Sequence, residues 1–360
     1  MKLLKYTLLI VIAFCGTFTA WVYYVTYQPK PIEPALLQCS AEAPLYDGKQ
    51  PLKVMVYNVQ YFAGKDYVFY YDLPDAVGPD KRPKPESVQQ TLAGIAALID
   101  EWQPDILLLQ EVDNGAASTG YADQTQQLLA QLQKVQYPCS AAAYYWKAKF
   151  VPDPNIMGAV GMQLVTLSRF QLADAIRISL PQVPLDPITR QFYLKRAILQ
   201  VELPTEAGGT ITVLNTHLDA FVQGFDTMQQ QVARVHDLLT ELDQQQQPWL
   251  IGGDFNLLAP GQFAALDKVQ QGYYVAPTEL SVLTDRWSML PSLEQIKRSP
   301  ASWFTHFPND PRVTGPDRTI DYLFYSSQWS VSEAKVLNEG APLQLSDHFP
   351  IWAKMQLSQF

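Results

Sequence analysis

Apolar runs recur along the chain, and most of them stop on a polar residue. Residues 53–58 (Lys-Val-Met-Val-Tyr-Asn), 105–111 (Asp-Ile-Leu-Leu-Leu-Gln-Glu), 210–215 and 249–254 (Trp-Leu-Ile-Gly-Gly-Asp) each predict a buried strand. Residues 161–169 and 195–203 read as further strands, with Gly208-Gly209 as a hairpin turn before residue 210. Arg318-Thr-Ile-Asp321 leads into another strand, and Leu345-Ser-Asp347-His348-Phe-Pro opens the last one. Between the strands the period changes to that of a helix. Val88, Leu92, Ile95, Leu98, Ile99 and Trp102 predict a helix over 87–102 that Pro104 stops. Similar stripes predict helices over 124–135 and 226–242.

The strand ends carry the candidate chemistry. Residues i and i+2 of a strand share a face, so Asp254 and Asn256 leave their strand on the same side. One such ending is most simply an Asp/Asn turn. Asn58, Glu111, Asn215 with His217, and Asp347 with His348 end or begin strands in the same way, which points to side chains converging on one site. Asp321 lies inside an apolar run, a costly place for a carboxylate unless a histidine or a metal partners it. The segment with Tyr61, Phe62, Tyr67, Phe69, Tyr70 and Tyr71, followed by Lys81-Arg82-Pro-Lys, is too aromatic for a solvated loop. It reads as a flap packed on the core or as a substrate- or membrane-facing surface.

The N-terminus differs from the rest. Lys2 and Lys5 precede 22 uncharged residues, 6–27, which as a helix reach about 33 Å, enough to cross a bilayer. Trp21, Tyr23, Tyr24 and Tyr27 gather where an aromatic belt would sit. Phe18 spoils a small-x-small cleavage site before Ala20, so an uncleaved anchor is expected over a cleaved signal peptide, with secretion after cleavage as the alternative. The two lysines would keep the start in the cytoplasm and place the remainder on the extracytoplasmic, periplasmic side. Cys39 and Cys139 would then meet an oxidising compartment, and whether they pair stays open. This divides the chain into an anchor (1–27), a Pro-containing extended linker (28–50) and one domain (51–360). An apolar content of 48% with 17% charged residues excludes a disordered chain, and a net charge of -9 argues against a broad basic surface for polyanions.

Asn58, Gln110-Glu111, Asn215-Thr-His217-Leu, Gly253-Asp254-Phe-Asn256, Ile320-Asp321-Tyr and Ser346-Asp347-His348-Phe-Pro together resemble, in order, the motifs of the endonuclease/exonuclease/phosphatase superfamily. The likeness extends over about 52–357. It implies an α/β fold, a four-layer α/β/β/α sandwich of two packed, mainly antiparallel sheets, here behind an N-terminal transmembrane helix. It also implies a phosphoester hydrolase dependent on Mg²⁺ or Mn²⁺ and acting as a monomer. By that resemblance Asn58, Glu111 and Asp347 are the metal-site residues, and His217, Asp254, Asn256, Asp321 and His348 the catalytic ones. Arg169 is a candidate substrate contact, and Asn215 is either another or a support for its strand. Asp254 or the Asp321–His348 pair would be the general base. The substrate is a phosphodiester: nucleic acid, as in nuclease members, or a phospholipid, as in sphingomyelinase- and phosphoinositide-type members. A non-catalytic binding module would require a lost catalytic residue, and none is missing.

Overall fold

Strand β3 (Leu52–Asn58) sends alternate side chains to opposite faces of its sheet, and that alternation organises the molecule. The computed structural model describes residues 2–73, 76–220 and 224–358. The other strands are β1 (Ile32–Pro34), β2 (Leu36–Cys39), β4 (Ile106–Asp113), β5 (Cys139–Val151), β6 (Gly158–Ser168) and β7 (Ala175–Ser179). They continue with β8 (Ala197–Pro204), β9 (Thr210–His217), β10 (Trp249–Asp254), β11 (Ser288–Leu290), β12 (Asp321–Tyr325), β13 (Trp329–Val336) and β14 (Ile351–Leu357). One sheet has the order β13-β14-β3-β4-β6-β5-β2 and the other β1-β7-β8-β9-β10-β12-β11. Each contains a single parallel pair, β3/β4 in the first and β9/β10 in the second.

Both parallel pairs are βαβ units, since a parallel return needs a crossover. Helix α1 spans Lys2–Val25, α2 (Pro85–Trp102) joins β3 to β4, α3 (Gln124–Gln131) follows β4, α4 (Thr189–Phe192) is one turn, and α5 (Thr227–Gln244) joins β9 to β10. Val54, Val56, Ile106 and Leu108 pack between the sheets against Ile211, Val213, Leu250 and Leu323. Met55, Tyr57, Leu107 and Leu109 point the other way, onto Leu92, Ile95 and Ile99 of α2. Leu214, Ile251 and Phe324 meet Val232, Val235 and Leu239 of α5. The layers are therefore helix, sheet, sheet, helix, the sandwich that the resemblance implies. The sheets pack tightly at Gly252, where a Cβ would sit 2.5 Å from Val56 Cγ2 and 2.9 Å from Leu108 Cδ1.

Several sequence expectations change. Helix α2 starts two residues early, because Pro85 fits the first helical turn. Helix α3 stops at Gln131 rather than 135, since the N–H groups of Gln133, Lys134 and Val135 turn to the Asp100 carboxylate. The stretch 28–50 is extended, but it is no free spacer. β1 pairs with β7 and β2 with β5, so proline-containing chain has become edge strands. Cys39 and Cys139 face one another across the β2/β5 ladder and are disulfide-bonded. The 13-residue β5 was not expected, because its Cys-Ser-Ala-Ala-Ala start is weakly apolar; pairing with both β2 and β6 makes it a strand. Helix α1 is long and apolar enough to cross a membrane, as an anchor or a signal sequence would be.

Candidate active site

Strand parity explains why the polar strand ends meet. The inward positions 54 and 56 of β3 lead to Asn58, 211 and 213 of β9 lead to Asn215 and His217, and 250 and 252 of β10 lead to Asp254. Strand β12 is antiparallel to β10, so its first residue, Asp321, lies opposite the last residue of β10, Asp254. Glu111 would point away from this gap in a regular strand. A bulge between Leu109 and Val112, with Glu111 at φ 59°, interrupts the alternation beside the site.

The side chains converge on one carboxylate oxygen. Asp254 Oδ2 accepts a hydrogen bond from Asn58 Nδ2 at 3.1 Å and lies 3.2 Å from His217 Nε2 and 3.6 Å from His348 Nε2. Asn58 Nδ2 also donates to Glu111 Oε1 at 3.1 Å, while its Oδ1 accepts from Gln60 N. His348 Nδ1 donates to Asp321, 2.9 Å from Oδ2. The other oxygen of Asp254 accepts the backbone N–H of Asn256 at 2.9 Å, and Asn256 is held in the left-handed region at φ 51°. Asp254 is 1% exposed, His217 3% and His348 5%.

Charge in this dry place is unevenly distributed. Burial lifts the Asp254 carboxyl to about 7, although the His348 imidazole pulls against it. Burial and the nearby Asp347 raise Glu111. His217 is held well below the ordinary histidine range by burial, reinforced by Arg196 and His348. Burial would lower His348 too, but the carboxylates of Asp321, Asp254 and Asp347 outweigh it and hold this ring charged. His217 Nε2 faces Asp254 Oδ2, and Nδ1 faces the Tyr145 hydroxyl at 3.4 Å.

Glu111, His217, Asp254, Asn256, Asp347 and His348 line a cleft of about 1000 Å³. Tyr61, Tyr70 and Tyr71 form part of its wall, with Phe69 stacked on Tyr67 at 5.4 Å and on Tyr71 at 5.6 Å. The aromatic segment is therefore a packed flap whose outer edge lines the cleft. Asn58 and Asp321 stand behind the lining, hydrogen-bonded to Asp254, Glu111 and His348.

Two candidates do not reach the cleft. Asn215 is fully buried and ties the sheets together: it donates to the carbonyls of Leu109 and Val165, 3.0 Å each, and accepts from Gln110. Arg169 lies at the far edge, paired with Asp105 at 2.9 Å. Strand β6 runs antiparallel to β4, so the residue after its end is beside the beginning of β4, not beside Glu111. The converse geometry hid Arg196. It precedes β8, which is antiparallel to β9, and so arrives at the edge where β9 ends. Its Nε donates to Asp219 at 3.2 Å, its guanidinium lies over Tyr145, and its buried Nη1 has no partner. A basic pair, Lys195-Arg196, just before an apolar run was the available signal. His306 was also overlooked as a site residue. It packs against His348, the rings tilted by 59° with centres 4.5 Å apart, and its Nε2 is 3.9 Å from Asp347.

A family model described as the endonuclease/exonuclease/phosphatase family matches residues 55–348. The chain belongs to that family. Its members are hydrolases acting on phosphoesters. Among solved structures, an endonuclease/exonuclease/phosphatase from Beutenbergia cavernae DSM 12333 is 21% identical with a TM-score of 0.56, covering 86% of this chain and 72% of that one. The human Nocturnin catalytic domain with bound sulfate is 18% identical at 0.53, covering 91% and 99%. A truncated Caenorhabditis elegans TDP2 is 17% identical at 0.50, covering 86% and 98%. At these identities the likeness is one of fold. No curated protein gave a significant match.

The residues suit a divalent cation. Among the described residues, His306, Asp347 and His348 form one set able to hold an ion, and Asp254, Asp321 and His348 another. Glu111, Asp254, Asp321 and Asp347 crowd together, while His348 is the single cationic ring among them. Hard oxygen donors with surplus negative charge are the donor set that Mg²⁺ or Mn²⁺ prefers.

Proposed function

We propose that the chain is a divalent-metal-dependent phosphodiesterase that adds water in line to phosphorus. The observation that carries this reading is the arrangement at Asp254 Oδ2, where Asn58, His217 and His348 meet one buried carboxylate oxygen. A phosphodiester repels its nucleophile, so the site must orient a water, accept its proton and neutralise the phosphoryl oxygens. Asp254, raised to about 7, is matched to accept that proton near neutrality. His348 is charged, and Asp321 holds its Nδ1, so its Nε2 proton is free for a phosphoryl or leaving oxygen. His217 remains neutral and fixes Asp254. Arg196, in the cleft wall, offers its positive charge to a second phosphoryl oxygen. Asn256, at the cleft wall, offers a further polar contact. Glu111 and Asp347, with Asn58 behind, would hold the cation; when bound, it supplies positive charge to the phosphate and lowers the pKa of water.

The test is hydrolysis of bis-p-nitrophenyl phosphate with Mg²⁺ or Mn²⁺. Asp254→Asn should lower turnover about 100- to 10,000-fold while the protein stays folded, and EDTA should abolish wild-type activity. Turnover that survives EDTA, or that is undiminished in the variant, would remove the basis of this mechanism.

A further inference from the structure

The C-terminal end of α1 does not hang free of the domain. Val22 and Val25 are buried, Tyr27 N donates to Lys147 O at 3.2 Å, and Thr26 forms a bridge with Ala148 of β5. Gln28 Nε2 donates to Gln191 Oε1 at 2.8 Å, and Trp21 packs against Phe192, their ring centres 6.3 Å apart. Lys149 Nζ sits 3.6 Å over the Tyr24 ring. This combination of Trp, Tyr and Lys at the end of an apolar helix is what marks a bilayer–water boundary.

That same place is one wall of the cleft. Phe192 and Trp146 line it, and Trp146 Nε1 donates to Phe192 O at 2.8 Å. Val151, Ile156 and Val160 pack with them and extend the apolar wall. Where the cleft opens, Met157 is 61% exposed, Ile188 51% and Tyr121 66%. Large apolar residues left in water around a cleft mouth need a surface to cover them. The phosphate-directed groups His217, Asp254 and His348 line the same cleft and, unlike these residues, are buried.

We infer that the cleft works against the bilayer that holds α1, and that its substrate is a membrane phospholipid with a phosphodiester headgroup. This rests on the phosphodiesterase reading above and names its substrate class. Met157, Ile188 and Tyr121 enter the interface, the lipid backbone lies along Trp146 and Phe192, and the phosphodiester reaches Asp254. Water adds to phosphorus, one P–O–C bond breaks, and the leaving alcohol takes up the equivalent of the proton that the water surrenders. The net charge of -9 gives a polymer such as DNA no broad basic track beside the cleft.

The full-length chain in phosphatidylcholine–sphingomyelin vesicles tests this. Its metal-dependent hydrolysis of vesicle lipid, of bis-p-nitrophenyl phosphate and of single-stranded DNA is compared with that of a Met157→Asp/Ile188→Asp variant. Placing two charges at the interface should lower the ratio of lipid to bis-p-nitrophenyl phosphate turnover about tenfold or more, with an unchanged circular dichroism melt. An unchanged ratio, or DNA cleaved in preference to lipid, overturns the inference and leaves the phosphodiesterase reading standing. No metal-dependent hydrolysis of any of the three by folded protein overturns both.

Discussion

Arg196 has two jobs that can be separated at the residue scale. It neutralises Asp219, which also accepts from Gln231 Nε2 at 2.8 Å, and it stands in the wall of the cleft, where we propose that it serves the phosphate. Both members of the pair are buried, so removing one strands the other. Arg196→Gln should cost about 3–5 kcal/mol of stability, and adding Asp219→Asn should restore most of it. Activity should stay down about 100-fold in both if the guanidinium serves the phosphate. Thermal unfolding and kcat/KM on bis-p-nitrophenyl phosphate check this. Recovery of activity along with stability would make Arg196 merely structural. Residues of this kind were only partly legible in sequence. Asp254, His217 and His348 stood out because a charge at the end of an apolar run needs a reason. Arg196 carried the same signal at the start of a run, and Arg169 carried it at the wrong edge.

At the scale of elements, Asp100 shows how a carboxylate decides where a helix ends. It sits on α2 and accepts three backbone N–H groups, 2.7 to 3.0 Å away, from residues just past α3. Burial opposes its charge, but those three bonds outweigh it and its pKa is lowered. A folded-state pKa below the unfolded one means that stability is present above the unfolded value, near 4, and is lost as pH falls through the folded value. Asp100→Asn should therefore cost about 1–3 kcal/mol at pH 7, with the difference from wild type shrinking below pH 4. Urea unfolding at pH 7, 5 and 3 measures it, and a pH-independent difference would contradict the assignment. The two βαβ units were also hidden from the sequence. β3–α2–β4 and β9–α5–β10 share no evident residue pattern, yet each brings two strand ends to the same edge.

The whole molecule is closed by segments that look dispensable. β1 and β2 cap one end of each sheet, and the disulfide between Cys39 and Cys139 encloses a loop with a sequence separation of 100. Removing residues 1–25 should leave a folded domain. Removing 1–50 should cost a further 2–4 kcal/mol, roughly the contribution of such a cross-link, and expose the edges of β7 and β5. Denaturation midpoints of the two truncations check this, and equal midpoints would return 28–50 to the role of a linker.

By itself the sequence determined the central strands β3, β4, β9, β10 and β12, the faces of most of their residues and the chemistry that stands at their ends. Those are local properties, fixed by a side-chain period of two and by the cost of burying polar groups. Only the tertiary structure decided which ends share an edge. The direction of a neighbouring strand depends on pairings across tens or hundreds of residues, so it excluded Arg169, withdrew Asn215 between the sheets and delivered Arg196 and His306. The same long-range packing seated the end of α1 on the cleft wall, where a hydropathy profile would have left it a detached tether.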